Sequence, residues 1–179
     1  MNEYGELLDE STVRFERLLP GPIERVWAFL TESDRRAQWL CAGDVETVAD
    51  GQVDMHFHNV SLSSAEDIPR PEKYKDMPEK MSFEGKVTRC EPPRLLEHTW
   101  EFDEESSLVC YELTAEGEKV RLVLTHRRLD SKDTVLSVSG GWHTHLNLLV
   151  DVLEGSQPRP FYKMQQQFVA DYEKRLGLA

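Results

Sequence analysis

Residues 134–154 read TVLSVSGGWHTHLNLLVDVLE, a pattern that predicts one long amphipathic helix. Its largest apolar side chains recur at steps of three and four residues and would share one helix face: Val135, Val138, Trp142, Leu146, Leu149 and Leu153. Gly140 and Gly141 stand directly before the tryptophan of that face. A glycine inside a helix costs about 1 kcal/mol relative to alanine. The pair therefore indicates either close approach of another backbone or space left for another group.

The amino-acid composition is typical of a globular domain with an acidic surface. A chain of 179 residues is the usual size of one domain, and 39% hydrophobic residues suffice for a buried core. No apolar run approaches the roughly 18 residues that span a bilayer. Aspartate and glutamate outnumber lysine and arginine by 33 to 21, which argues against nucleic acid or an anionic membrane as a partner. The acidic N-terminus lacks the features of a signal peptide, so we expect a cytoplasmic protein.

Neither a metal site nor a cofactor site is predicted. The cysteines Cys41, Cys90 and Cys110 are far apart and form no CxxC pair, so we expect free thiols rather than a disulfide or zinc site. His56 and His58 share one face of a predicted strand whose apolar residues lie on the other face, so both should point to solvent. The sequence contains no phosphate loop, dinucleotide motif or nucleophile elbow.

The rest of the chain predicts an α+β domain with antiparallel strands. A strand at Thr12–Leu19 precedes a helix that starts at Pro22 and a second short helix at Thr31–Leu40. Alternating apolar residues then predict six more strands, the first two joined by a turn at Asp50-Gly51: Gly43–Asp50, Gln52–His58, Met81–Glu91, Arg94–Phe102, Ser107–Thr114 and Val120–His126.

Two further segments complete the prediction. Asn59–Lys80 contains three prolines and is predicted to be a long loop, a candidate lid over the sheet. Phe161–Leu176 is predicted to be a terminal helix. The strands alternate, so one sheet face meets water and the other must be covered; only the long helix is large enough to cover it. We predict a single domain, 1–179, with its core at 12–155 and a C-terminal helical extension at 156–179.

Five motifs, taken in order, resemble a known superfamily. They are Pro22–Trp27 (PIERVW), Trp39-Leu40, Leu96–Trp100 (LEHTW), Val120–His126 (VRLVLTH) and Gly141–Gly155 (GWHTHLNLLVDVLEG). Together they resemble the SRPBCC superfamily, whose helix-grip fold is shared by START lipid-binding domains and the birch-pollen allergen. The branch most similar to this chain is named for the activator of heat shock protein 90 ATPase. The likeness extends from about residue 12 to residue 155.

The resemblance implies a six- to seven-stranded sheet wrapped around the long helix, with a deep cavity between them. Members of the superfamily bind lipids, hormones, polyketides or other apolar molecules, and a few catalyse cyclisation or hydrolysis in the cavity. The branch name implies stimulation of a chaperone. That co-chaperone carries a separate N-terminal domain, for which we expect no room in this chain.

The alternation of the strands and the helix stripe nominate the residues that would line such a cavity. The candidate ligand-binding residues are Trp39, Met55, Phe57, Phe83, His98, Trp100, Tyr111, His126, Trp142 and Leu146. Tryptophan offers a large apolar surface with one N–H donor. His98 and His126 are in phase with apolar neighbours, so either they orient a ligand or act as a general base, or they are core histidines with satisfied hydrogen bonds.

Three functions remain open at this stage. The first is a binding protein for a small apolar molecule, with no cofactor. The second is an enzyme that uses the same cavity with His126 or His98 as base. The third is a protein-interaction module, chaperone-linked or otherwise, or a homodimer, that uses the Asn59–Lys80 loop or the terminal helix.

Overall fold

The structure, a computed structural model, describes residues 3–64, 66–101 and 105–177. Within them the chain forms seven strands, which are β1 Glu6–Asp9, β2 Thr12–Pro20, β3 Gln52–Phe57, β4 Met81–Glu91, β5 Leu95–Thr99, β6 Leu108–Glu116 and β7 Lys119–Arg127. Four α-helices accompany them: α1 Ile23–Thr31, α2 Ser33–Arg36, α3 Lys132–Glu154 and α4 Phe161–Arg175. The predicted α+β helix-grip fold is confirmed.

All seven strands join one curved antiparallel sheet in the order β1-β2-β7-β6-β5-β4-β3. The pairing of β2 with β7 brings the start of the chain to the strand that precedes α3, with Phe15 opposite Leu124. Because strand side chains alternate between faces, both of these residues point to the inner face and are buried. The sheet therefore presents one apolar face, and α3 lies against it.

Helix α3 begins and ends at well-formed caps. The side chain of Ser131 accepts a hydrogen bond from the Thr134 N–H at 3.1 Å, which satisfies one of the free N–H groups of the first turn. At the other end Gly155 adopts φ +70°, a left-handed conformation that glycine tolerates best. The helix predicted at Thr134–Glu154 is confirmed and begins two residues earlier.

Helix α4 covers the side of α3 that faces away from the sheet. The ring of His143 stacks on Phe168 with centroids 3.7 Å apart. Arg159, just before α4, pairs with Asp151 at 2.9 Å and donates to the Asn147 carbonyl at 2.8 Å. Residues 142–149 of α3 are consequently buried all round the helix. A helix that is buried on every face must lie between two layers.

Gly140 and Gly141 serve the two sides of α3 differently. A Cβ on Gly140 would lie 2.6 Å from Cγ2 of Val169 in α4, far inside van der Waals contact. A Cβ on Gly141 would meet no heavy atom within 4 Å. The two expectations for the pair are therefore both met, one by each glycine: Gly140 permits close helix packing and Gly141 leaves space.

The predicted strand Gly43–Asp50 is wrong. Gly43 has φ +116°, and a Cβ there would lie 2.2 Å from the Asp54 carbonyl oxygen. The buried guanidinium of Arg36 donates to the carbonyls of Cys41, Ala42, Gly43 and Asp54. The positive φ of Gly43 and the donation from Arg36 to the Gly43 carbonyl interrupt regular strand geometry at the start of the segment. Only two isolated bridges remain in this stretch, Ala42 with His56 and Val45 with Val53.

Three other boundaries differ from the prediction. Edge strand β1, Glu6–Asp9, has no alternation of buried and exposed side chains and was not predicted. The second helix is only Ser33–Arg36, followed by turns to Leu40. Strand β5 ends at Thr99, and Phe102, the predicted end of that strand, lies outside the described residues.

The Asn59–Lys80 segment contains two short 3-10 turns, Asn59–Leu62 and Glu72–Tyr74, and Asp67 fastens it to α4. The Asp67 carboxylate accepts hydrogen bonds from the backbone N–H groups of Tyr162 at 2.8 Å and Lys163 at 3.0 Å. These N–H groups lie in the first turn of α4, and Pro160 at the helix start makes no side-chain cap. Asp67 therefore caps a helix 95 residues away. Although burial opposes ionisation, these hydrogen bonds lower the pKa of Asp67.

The glycine pair gives a matched test of α3 packing. We expect Gly140→Ala to destabilise the fold by about 1–2 kcal/mol, because the clash with Val169 exceeds the gain in helix propensity. We expect Gly141→Ala to stabilise it by up to about 1 kcal/mol, because the methyl group enters open space. Urea denaturation measures both, and a change of the same sign in the two variants would contradict this assignment.

The cap by Asp67 is testable in the same way. Asp67→Ala leaves two N–H groups of α4 without acceptors, so we expect a loss of about 1–2 kcal/mol and faster hydrogen exchange at Tyr162 and Lys163. Asp76→Ala, an exposed carboxylate of the same segment, is the matched control and should change neither quantity. Unchanged exchange at both amides in Asp67→Ala would show that the cap is not formed in solution.

Candidate functional site

A cavity of about 260 Å³ lies under the first half of α3, between the helix and the strands β3 and β4. Its described lining residues are Leu40, Phe57, Asn59, Met81, Phe83, Trp100, His126, Ser137, Val138, Gly141, Trp142, His145 and Gln165. The space that Gly141 leaves is part of this cavity.

Aromatic rings form the wall opposite the helix. Phe57 ends β3, Phe83 lies on the neighbouring strand β4, and Trp100 follows β5, so three adjacent strands each contribute one ring. The ring of Phe57 lies 6.0 Å from that of Phe83 and 5.8 Å from that of Trp100, centroid to centroid. Trp142 comes from α3 and meets Trp100 edge-to-face at 5.5 Å. These contacts hold the wall in a fixed shape.

His126 is tied to the sheet and to the helix by both of its ring nitrogens. The Trp142 Nε1–H donates to His126 Nδ1 at 3.0 Å. Since the indole can only donate, Nδ1 is the acceptor, and the proton of the neutral ring is on Nε2. That Nε2–H donates to Ser107 Oγ at 2.8 Å. Burial, followed by the neighbouring His98, lowers the pKa of His126 to about 3. His126 therefore offers the cavity no free lone pair for a general base.

His98 is enclosed in the core rather than open to the cavity. Its Nδ1–H donates to the Thr99 carbonyl at 2.8 Å, and its ring lies between those of Trp100 and Tyr111. Burial lowers its pKa to about 4. The two histidines predicted to face the covered side of the sheet are both buried, and their described hydrogen bonds are structural.

His145 has a different arrangement and lines the cavity. Its Nδ1 lies 2.7 Å from the carbonyl oxygen of Trp39. A carbonyl only accepts, so Nδ1 carries the proton and Nε2 carries the lone pair. The ring packs on Phe161 with centroids 5.2 Å apart and is 7% exposed. Burial lowers the pKa of His145 to about 4, so the ring is neutral at physiological pH.

The ten candidate residues divide equally between the cavity wall and the packed core. Phe57, Phe83, Trp100, His126 and Trp142 line the cavity. The other five are buried in the hydrophobic core and are not among the lining residues that the structure describes: Trp39, Met55, His98, Tyr111 and Leu146. Trp39, for example, is 0% exposed and donates its indole N–H to the Phe29 carbonyl at 2.8 Å.

Eight lining residues were not among the ten candidates, although the sequence pattern indicated several of them. Ser137, Gly141 and His145 are spaced four residues apart on α3, so they form a second stripe beside the apolar one. Met81 is in phase with Phe83 on β4. Asn59 and Gln165 could not be found in this way, since their segments reach the cavity only through tertiary packing.

The wall of the cavity is uncharged. Its described lining contains no lysine, arginine, aspartate or glutamate. Over residues 3–64, 66–101 and 105–177, no group of three or more histidine, cysteine or acidic side chains is arranged to hold a metal ion. In the same part of the chain, no helix combines the length and the apolar character needed to cross a membrane. The site therefore suits a neutral molecule.

Two further depressions share walls with the cavity. One of about 330 Å³ shares Trp100, His126 and Val138 and is otherwise mostly polar. The other, of about 190 Å³, shares residues of β3, β4 and α3 and is bounded by the Asn59–Lys80 segment and α4. The cavity thus adjoins the surface near the start of α3.

The buried histidines predict a steep loss of stability in mild acid. Burial lowers the pKa of His98 and His145 to about 4 and that of His126 and His143 to about 3. The unfolded chain takes up these protons near pH 6.5, so stability is complete above that pH and falls as the pH drops towards 4. We expect each histidine to cost about 2 kcal/mol at pH 5, measured by urea denaturation between pH 7 and pH 5.

One variant tests whether the buried histidines cause this slope of stability against pH. His143→Gln should reduce it by about 1 kcal/mol per pH unit between pH 7 and pH 5, because one proton fewer is taken up on unfolding. Equal slopes in the variant and the original protein would mean that His143 is already protonated in the folded state.

Solved structures share this architecture. A protein from Bordetella parapertussis, solved by NMR in solution, is 43% identical, with a TM-score of 0.80 over 97% of this chain and 91% of that chain. The crystal structure of CalU16 from Micromonospora echinospora is 19% identical, with a TM-score of 0.63 over 91% of this chain and 86% of that chain. A conserved protein of unknown function from Enterococcus faecalis is 15% identical, with a TM-score of 0.65 over 95% and 90% of the two chains.

The sequence also matches a described family. No curated protein matches the chain with significance. Residues 20–154, more than half of the chain, match the family described as Activator of Hsp90 ATPase homolog 1-like protein. This match covers the helices α1–α3 and all strands except β1 and most of β2. The chain therefore belongs to the Activator of Hsp90 ATPase homolog 1-like family, within the SRPBCC superfamily.

Proposed function

We propose that this protein binds a small, uncharged and largely apolar molecule in the cavity under α3. One observation carries the proposal: the helix leaves space at Gly141 where the facing wall is built from Phe57, Phe83 and Trp100. A concave site with mostly apolar and aromatic walls and a few polar groups is the usual form of a small-molecule site.

The size of the cavity sets the size of the ligand. A dry protein cavity of about 150 Å³ accepts benzene, so about 260 Å³ suits a molecule of two fused rings or a similar short chain. Burying about 250 Å² of apolar ligand surface contributes about 6 kcal/mol before the loss of translational freedom is counted. We therefore expect a Kd no tighter than about 40 μM for a purely apolar ligand.

The neighbouring segment gives the site a boundary that can open. Asn59 lines the cavity, and the same segment is held to α4 through Asp67. A ligand that enters from the second depression would pass between this segment and α4. The predicted lid role of Asn59–Lys80 is kept in this proposal, with Asp67 as its fastening.

A catalytic role for the histidines has less support. Both nitrogens of His126 are engaged by Trp142 and Ser107. His98 is enclosed between two rings. The proposal therefore assigns binding and no reaction to the cavity.

Interaction with a protein partner is a second candidate, favoured by the description of the family. It would depend on the outer surface rather than on the cavity. A change confined to the cavity should leave it unaffected, which separates the two candidates experimentally.

Filling the cavity tests the proposal. Gly141→Leu places a branched side chain in the open space, so we expect affinity for apolar probes to fall at least tenfold while the fold is retained. Gly141→Ala, which adds one methyl group, is the matched control and should keep most of the affinity. A thermal-shift screen against fused aromatics, fatty acids and sterols, followed by titration of Trp100 and Trp142 fluorescence, measures both.

Two results would overturn the proposal. One is the absence of any stabilising compound in the screen. The other is equal affinity of the original protein and Gly141→Leu for the same probe, which would place binding elsewhere on the molecule.

A further inference from the structure

The polar groups on the cavity wall favour a ligand with a particular functional group. We infer that the ligand is an apolar ring system bearing a hydroxyl group, and that this hydroxyl donates a hydrogen bond to Nε2 of His145. The inference rests on the proposed function and adds the chemical class of the ligand.

One hydrogen bond holds His145 in a single tautomer. Its Nδ1 is held 2.7 Å from the Trp39 carbonyl, which is inside the core and can only accept. The proton of the neutral ring is therefore fixed on Nδ1, and Nε2 is an acceptor. Among the described residues, Nε2 has no hydrogen-bond partner, while the ring forms part of the cavity wall. An acceptor that takes part in no described hydrogen bond, on a residue that lines the cavity, favours a ligand that donates to it.

Asn59 carries a second acceptor on the same wall. The side-chain oxygen Oδ1 of Asn59 is shielded from solvent and has no partner among the described residues. Asn59 lines the cavity beside Phe57 and Met81. Two acceptors, one on α3 and one after β3, therefore accept none of the described hydrogen bonds. A ligand that brings only acceptors, such as an ether or ketone, would leave both unsatisfied.

The uncharged lining of the cavity disfavours ionised ligands. The described lining contains no basic side chain to neutralise a carboxylate and no acidic side chain to neutralise an amine. Moving an unpaired charge into such a site is costly. A phenol or alcohol is neutral at physiological pH and carries one donor on an apolar body. It therefore matches the wall better than a fatty acid does.

Four probes of one shape test the inference on the intact protein. They are naphthalene, 2-naphthol, 2-methoxynaphthalene and 2-naphthoate, compared by calorimetric or fluorescence titration. We expect 2-naphthol to bind about tenfold more tightly than naphthalene, the ether to resemble naphthalene, and the carboxylate to bind more weakly than naphthalene.

One substitution assigns the hydroxyl contact. In His145→Asn the side-chain NH2 can still donate to the Trp39 carbonyl, but no acceptor replaces Nε2, so the naphthol preference should fall to about twofold or less. His143→Asn, a buried histidine of the same helix that faces α4, is the matched control and should keep the preference. The ratio of two affinities is measured, so a change in cavity volume that affects both probes does not alter the conclusion.

A spectroscopic measurement needs no variant. Long-range nitrogen NMR of the His145 ring should show a protonated Nδ1 in the free protein. The Nε2 resonance should move when 2-naphthol is added and should move much less with naphthalene.

The outcomes separate the two proposals. Equal affinities for naphthalene and 2-naphthol, or a preference unchanged in His145→Asn, overturn the hydroxyl contact and leave apolar binding standing. Failure of all four probes to bind overturns the hydroxyl contact together with the cavity as a site for molecules of this size.

Discussion

Two neighbouring glycines let α3 pack closely against α4 on one side and leave open space beside the sheet on the other. Gly140 lets α4 approach until Val169 fills the place of a side chain, so the helix pair is tightly packed on its outer side. Gly141 points to open space on the side of the sheet. Because α3 lies between the sheet and α4, its packing decides both how α4 attaches and how much space remains beneath. Close packing on one side and a hollow on the other therefore follow from one dipeptide.

Directional hydrogen bonds determine the chemistry of the hollow. An indole N–H can only donate and a backbone carbonyl can only accept. The bond from Trp142 therefore fixes the proton of His126 on Nε2, whereas the bond to Trp39 fixes the proton of His145 on Nδ1. Two histidines of similar burial thus differ in what they offer: His126 has both nitrogens engaged, and His145 keeps an acceptor. Burial alone would not have distinguished them.

The helices and strands with a strong periodic pattern could be predicted from the sequence. The segments whose conformation depends on hydrogen bonds from distant side chains could not. The stripe of α3 and the alternation of β7 identified both elements and placed Trp142 and His126 on the covered face. The segment Gly43–Asp50 alternates like a strand, yet it starts at Gly43 with φ +116° and with the Gly43 carbonyl bound to the guanidinium of Arg36. No local pattern reveals that contact, nor the cap that Asp67 places on a distant helix. The position of His145 beside the cavity follows from its spacing with Ser137 and Gly141, but its role as an acceptor could not be predicted, since it depends on a carbonyl 106 residues away in sequence.

The energetic cost of the hollow explains why it suits a ligand. The hollow of about 260 Å³ is open to the surface, so water enters it and meets a mostly apolar wall at a cost in free energy. Water can reduce the cost only where it finds several polar partners, and most of this wall is aromatic or aliphatic. A bound apolar molecule removes the cost and adds its own binding free energy to the stability of the fold. Ligand binding and folding are therefore coupled through the same space at Gly141.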